Sequence, residues 1–244
     1  MSTIASHQNP KLKALRRLQT KRGRASSGRF LAEGEDLLRA AEVASRPVLE
    51  GYRLEGSEVG GKDFFDVERS ALGDVSMLGS GTRVITVYEQ SWSRPVGPLC
   101  VYLHGVGDPG NVGTVLRSAL AFGASCVALG PRCADPHSPK AVRASMGAIF
   151  SVALARVSTP AELPGRKIAL SADAPELLEG WRETAQEEVS LIVGAEREGL
   201  PADVLAQCDS HARIPIATES LNAAMAATVA LYEMTRRPSR VSAS

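Results

Sequence analysis

The stretch from Ser190 to Glu233, SLIVGAEREGLPADVLAQCDSHARIPIATESLNAAMAATVALYE, constrains the fold more than any other. Its opening run, Leu191-Ile192-Val193, reads as a strand buried on both faces, as in a parallel sheet. The run stops at Gly194-Ala195-Glu196-Arg197-Glu198-Gly199, where two glycines flank a carboxylate and suit a backbone that approaches a ligand closely. Pro201 and Asp203 fit the first turn of a helix. Ile214-Pro215-Ile216 reads as a second short strand. It leads through Ser220-Leu221-Asn222 into a helix from Ala223 to Leu231 that is apolar on nearly every side and is expected to be buried.

Upstream, Leu99 to Leu103 reads as a strand and Val112 to Phe122 as a helix. Cys126 to Leu129 is a further strand, and Ser138-Pro139 opens another helix. Ile168-Ala169-Leu170 is a strand whose end, Ser171-Ala172-Asp173, should face a ligand. Strands alternating with helices of this length imply a parallel α/β sheet, with ligands at the carboxyl ends of its strands. Gly105-Val106-Gly107-Asp108-Pro109-Gly110 spells the dinucleotide-binding pattern, but the next strand ends Gly130-Pro131-Arg132, with no carboxylate before Asp135. The ribose partner that a nicotinamide site requires is therefore missing.

Three motifs in order carry a resemblance: Asn111-Val112-Gly113-Thr114-Val115-Leu116-Arg117, the Gly194-x-Glu196-x-x-Gly199 turn after its apolar strand, and Ile214-Pro215 followed by Ser220-Leu221-Asn222. Together they resemble the SpoU/TrmH family of RNA ribose 2′-O-methyltransferases, within the SPOUT class, from about Leu99 to Arg237. The resemblance implies an α/β chain with a C-terminal parallel-sheet SPOUT domain (98–240) holding a deep trefoil knot. It implies a smaller α/β RNA-recognition domain before it (1–92), where FLAEGEDLL is similar to the family pattern. The linker-like composition of residues 91–98 marks the boundary.

The implied reaction is methyl transfer from S-adenosyl-L-methionine to a ribose 2′-hydroxyl of RNA, most simply ribosomal RNA. A transfer RNA substrate, or a non-catalytic RNA-binding protein that keeps the fold, is the alternative. The implied catalytic set is Asn111, Arg117, Glu196, Ser220 and Asn222. The family treats the arginine as the base, yet a guanidinium with pKa above ~12 suits phosphate binding and stabilisation of alkoxide charge better. Asn111 and Glu196 would orient Arg117 and the ribose. Ser220 fits either a substrate contact or a helix N-cap. Cofactor contacts are carried over to Ser171, Ala172, Gly194, Gly199, Ile214, Ile216 and Leu221. The loop Ile216-Ala217-Thr218-Glu219 is short and lacks a glycine that many members carry. The family also implies a homodimer.

Composition adds limits. The 244 residues are 44% hydrophobic without a long apolar run, so a soluble globular protein with no membrane span is expected. The N-terminus lacks the apolar core of a signal peptide, which points to the cytoplasm. Cys100, Cys126, Cys133 and Cys208 match neither a zinc nor a disulfide spacing, so no metal and buried reduced thiols are expected. Net charge is only +1, and an RNA role must come from its distribution. Between Lys11 and Arg29 there are eight basic residues and no acidic one. Asn9-Pro10 should start a helix whose Leu12, Leu15 and Leu18 face inward. That leaves Lys11, Lys13, Arg16, Arg17, Lys21, Arg22 and Arg24 outside as phosphate contacts.

Overall fold

The computed structural model describes residues 3–77, 81–178, 188–218 and 220–236. The chain packs as two compact units that no single cut separates. The first comprises Met1–Ser91, Asp108–Arg117 and Ala134–Ser151, and the second Trp92–Gly107, Ser118–Cys133 and Val152–Ser244.

In the first unit, α1 (Pro10–Gln19) starts where expected, with the Asn9 side chain accepting from the Lys11 N–H and Pro10 in the first turn. Leu12, Leu15 and Leu18 are buried. The helix then breaks at Thr20, whose backbone is extended (φ −91, ψ 145) and whose hydroxyl caps α2 (Lys21–Ser27) through the Gly23 N–H. β1 (Arg29–Glu33) and α3 (Glu35–Val43) follow, then β2 (Glu50–Leu54), β3 (Phe65–Val67), α4 (Arg69–Gly73) and β4 (Val84–Glu89). These strands form a sheet in the order β1-β4-β2-β3, in which β4 runs antiparallel to both of its neighbours. Leucines of α1 share its core with Tyr52, Leu72 and Ile85.

The start of α5 (Pro109–Ala121) and all of α6 (Pro139–Ala144) belong to this unit. They pack so closely that a Cβ on Gly113 would lie 2.3 Å from the Ala141 carbonyl oxygen and 2.7 Å from the Ala144 methyl. The glycine of the first motif is thus explained by packing. Phe30, Tyr88, His137 and Phe150 form an aromatic cluster, with Phe30 4.8 Å from His137 and Tyr88 4.7 Å from Phe150.

The second unit holds β5 (Leu99–Leu103), β6 (Cys126–Leu129), β7 (Ala153–Arg156), β8 (Arg166–Leu170) and β9 (Glu176–Leu177). After them come β10 (Val189–Val193), α7 (Ala202–Leu205), β11 (Ser210–Arg213) and α8 (Ala223–Thr235). Seven strands form one sheet in the order β7-β6-β5-β10-β8-β11-β9, every pair parallel. All carboxyl ends therefore meet at one edge. β10 is buried at all five positions, as a central parallel strand should be. Its one hydroxyl, Ser190, donates to the Pro164 carbonyl at 2.7 Å. The start of the linker-like segment is fastened to this unit: the Ser93 N–H donates to the Leu154 carbonyl (2.7 Å), and Arg156 lies 3.9 Å over the Trp92 ring.

Three expectations change. The last long strand is Ser210–Arg213, and Ile214-Pro215-Ile216 lies beyond it, because proline cannot donate to a ladder. Asn222, not Ser220, caps α8. And α8 is not buried all round: Ala223, Ala224, Ala227, Ala230 and Leu231 face inward, whereas Met225, Val229 and Tyr232 are exposed. No helix among the described residues is long and apolar enough to cross a membrane.

Candidate active site

In the second unit, the neighbouring strands β10, β8 and β11 end at Val193, Leu170 and Arg213, and the residues that follow are those marked for a cofactor. After β10 the chain folds straight back on itself. The Gly199 N–H donates to the Ala195 carbonyl at 3.0 Å, and the two residues form an isolated bridge. A Cβ on Gly194 would sit 2.5 Å from the Gly199 carbonyl carbon and oxygen, and Gly199 itself has φ +63. Both glycines are required by this reversal: one by close approach, the other by a left-handed backbone.

The reversal lifts Glu196 into an exposed position, where it meets the third motif. Asn222 Nδ2 donates to Glu196 Oε1 at 2.5 Å. The same side chain's Oδ1 accepts from the Ala224 N–H (2.9 Å) and the Met225 N–H (3.2 Å). One asparagine thus caps α8 and holds the motif glutamate. Ser220 is exposed, and its carbonyl accepts from the Thr218 hydroxyl at 3.3 Å. Glu219, part of the short loop, lies outside the described residues.

Around this edge, the Ser171 N–H donates to the Ala212 carbonyl (3.1 Å), Ala172 is exposed, and Ile214 and Leu221 are half-buried. Ile216 is left 38% exposed, an uncovered apolar side chain on a segment that has left the sheet. Exposed backbone beside an uncovered apolar group suits the mixed chemistry of an adenosyl group. Nearby, His104 directly follows β5, with Nδ1 3.0 Å from the Tyr102 hydroxyl. Burial, and then the positive charge of Arg132, hold its pKa below the ordinary histidine value.

Asn111 and Arg117 lie on α5 in the first unit. Six residues correspond to about 9 Å along a helix and ~240° around it, so the two do not share a face. Arg117 is exposed and Asn111 half-buried. Asp108 starts the helix: its carboxylate accepts from the Asn111 N–H (3.0 Å) and from Lys140 Nζ (2.7 Å). The Lys140 ammonium is the main cause of its lowered pKa. Neither Asp108 nor Lys140 was among the expected site residues, although Asp-Pro ahead of a helix is a readable cap signal.

The basic cluster needs one correction. Arg24 is buried, its guanidinium paired with Asp135 and donating to two backbone carbonyls, so it does not face a phosphate. Arg16 is engaged by Asp74, and Lys11 lies 4.0 Å over the Phe65 ring. Lys13, Arg17, Lys21 and Arg22 are exposed and make no ion pair with another described residue. Cys133 and Cys208 are half-buried rather than buried, and all four cysteines are free. Among the described residues no three His, Cys, Asp or Glu side chains gather as a metal site.

Residues 98–232, which contain all three motifs, match the model of the SpoU rRNA methylase family. The chain belongs to that family. Residues 9–77 match an MRM3-like substrate binding domain. An uncharacterized tRNA/rRNA methyltransferase of Synechocystis is 31% identical, over 97% of this chain and 94% of that one. The 23S rRNA (guanosine(2553)-2′-O)-methyltransferase RlmP of Bacillus subtilis is 29% identical, over 96% of this chain and 99% of its own length. Among solved structures, an AdoMet-bound rRNA methyltransferase from Sinorhizobium meliloti superposes with a TM-score of 0.85. It is 28% identical and covers 96% of this chain and 97% of its own. The SpoU match begins just before β5 and ends within α8, so it takes in the seven-stranded sheet.

Proposed function

We propose that the chain is an S-adenosylmethionine-dependent enzyme that methylates a ribose 2′-hydroxyl of ribosomal RNA. The observation that carries this reading is the Asn222–Glu196 hydrogen bond, which ties the second motif to the third across 26 residues of sequence. The cofactor would rest on Gly194, Gly199, Ile214, Ile216 and Leu221, with Ser171 and Ala172 beside them. It supplies a methyl group already activated on a sulfonium, so the protein's task is alignment and charge.

Arg117 grips a phosphate and stabilises alkoxide charge as the hydroxyl passes its proton to solvent, a role for which its planar, permanently charged group is suited. Glu196 and Asn222 are locked to each other and present a fixed polar pair to the ribose, and Asn111 and Ser220 add short polar contacts. Lys13, Arg17, Lys21 and Arg22 hold RNA phosphates. The division of labour is recognition by residues 1–92 and methyl transfer by 98–240, whose last strands and helix form the family's trefoil knot.

Two copies pair through the face of α8 that carries Met225, Val229 and Tyr232. These residues recur at i, i+4 and i+7, and Leu120 of α5 is also exposed in the same unit. The protein works in the cytoplasm, where its substrate is. Radiolabel from S-adenosylmethionine should pass to ribosomal RNA, and the acceptor should appear as a ribose whose 3′ linkage resists alkaline hydrolysis. Transfer to transfer RNA alone would redirect the substrate, and no transfer would leave an RNA-binding protein with the fold.

A further inference from the structure

The first unit contains a cleft of about 600 Å³ bounded by α1, α2, β1 and the neighbouring strands. That volume falls in the range of small-ligand clefts, about 300–1,000 Å³. Arg17, Arg22 and Arg29 line it, all three exposed, against one carboxylate, Glu50, which Arg29 approaches to 3.3 Å. Ala14, Leu15, Leu18 and Val87 give it apolar walls. The hydroxyls of Ser26 and Ser27 donate to the Gly23 carbonyl at 3.1 and 2.8 Å, and that of Thr20 to the Arg17 carbonyl at 2.8 Å. The Ser26 oxygen keeps acceptor capacity, whereas those of Thr20 and Ser27 also accept from the Gly23 (3.0 Å) and Arg29 (3.3 Å) N–H groups.

Positive rim, apolar wall and polar acceptors in one concavity are the features of a nucleotide subsite. We propose that this cleft takes one unpaired nucleotide of the substrate RNA, its phosphates on Arg17, Arg22 and Arg29 and its base against the apolar wall and a guanidinium plane. This rests on the reading of RNA as substrate and deepens it. None of the three methyltransferase motifs lines the cleft, so the nucleotide it holds is read rather than methylated. A base locked in a duplex is not free to enter a cleft, whereas a base splayed from a loop or bulge is, and arginine planes are common stacking partners for such bases. The subsite therefore makes the enzyme select for an unpaired nucleotide at a fixed place in its substrate.

The full-length protein, titrated with nucleoside 5′-monophosphates, ribose 5-phosphate and inorganic phosphate and followed by backbone amide NMR, tests the proposal. A monophosphate should bind at least about tenfold more tightly than phosphate, a difference of ~1.4 kcal/mol, with the largest shifts at Ala14, Ser26 and Ser27. Ser26→Glu, which places a like charge beside the phosphate, should lose that binding, whereas Ser26→Arg should keep it. The same Ser26→Glu protein should bind a single-stranded substrate fragment about tenfold more weakly than wild type, with its affinity for S-adenosylmethionine unchanged. Equal affinity for phosphate and nucleotide, shifts confined to other residues, or unchanged RNA affinity in folded Ser26→Glu would each overturn the subsite. Failure of the methyltransferase reading would show separately, as absence of methyl transfer by the wild-type protein.

Discussion

Arg24 and Asp135, 111 residues apart in sequence, form an ion pair of 2.8 Å inside the first unit, with side chains only 4% and 14% exposed. The guanidinium also donates to the carbonyls of Leu18 (2.9 Å) and Gln19 (2.8 Å), the last turn of α1. Removing one member of such a pair leaves the other buried without compensation, which costs about 3–5 kcal/mol. Arg24→Ala should lower the unfolding free energy by that amount in urea titrations. Arg22→Ala, two residues away and exposed, should stay within ~0.5 kcal/mol of wild type while weakening RNA binding. Equal, small effects on stability would remove Arg24 from its structural role.

Asn222 uses both ends of its amide, one to cap α8 and one to hold Glu196. Asn222→Asp keeps the cap acceptor but sets a second carboxylate against Glu196. Stability should change by no more than about 1 kcal/mol, whereas turnover should drop sharply. Asn222→Ala should lose both functions. An aspartate variant with near-normal kcat would show that the hydrogen bond to Glu196 is dispensable.

The elements legible in the sequence were those with an unbroken apolar run. β5 and β6 fall on their expected residues because a strand buried on both faces leaves no polar position to blur its ends. β11 was displaced because its residues, Ser-His-Ala-Arg, look like a loop, while the apolar Ile-Pro-Ile after it looks like a strand. Arg24 was misplaced for a different reason. The stripe of Leu12, Leu15 and Leu18 says nothing of the residues after Thr20, where the chain restarts as a new helix and turns the arginine inward. Composition could not reveal the exposed side of α8, since a helix rich in alanine looks the same whether its larger residues face a core or a partner. Within the site, the glycines of the turn were readable, and the double use of Asn222 was not.

The exposed Met225, Val229 and Tyr232 should be covered in a dimer. Val229→Glu puts a charge at the centre of that stripe, where a buried and unpaired carboxylate is costly. Sedimentation at micromolar concentration should show a dimer for wild type and a folded monomer for the variant. A monomeric wild type, or a dimer untouched by Val229→Glu, would place the pairing surface elsewhere.

His104 gives a pH dependence with a definite sign. Burial and Arg132 lower its folded pKa below the unfolded 6.5, so the unfolded chain binds the proton first. Its contribution is complete above pH 6.5 and is lost as the pH falls through the depressed folded value. Unfolding free energies from pH 7 to pH 5 should decline more steeply for wild type than for His104→Gln, which can still pair with the Tyr102 hydroxyl. Parallel curves would mean that His104 titrates normally.

Methyl transfer itself tests the account most directly. The wild-type protein, ribosomal RNA and labelled S-adenosylmethionine should yield label on a ribose 2′-oxygen. Arg117→Ala should reduce the rate at least ~100-fold with cofactor affinity nearly intact, and Arg117→Lys should restore little, since a point charge cannot replace a planar fork. Label on a base, no label at all under conditions where the cofactor binds, or full activity in Arg117→Ala would contradict it.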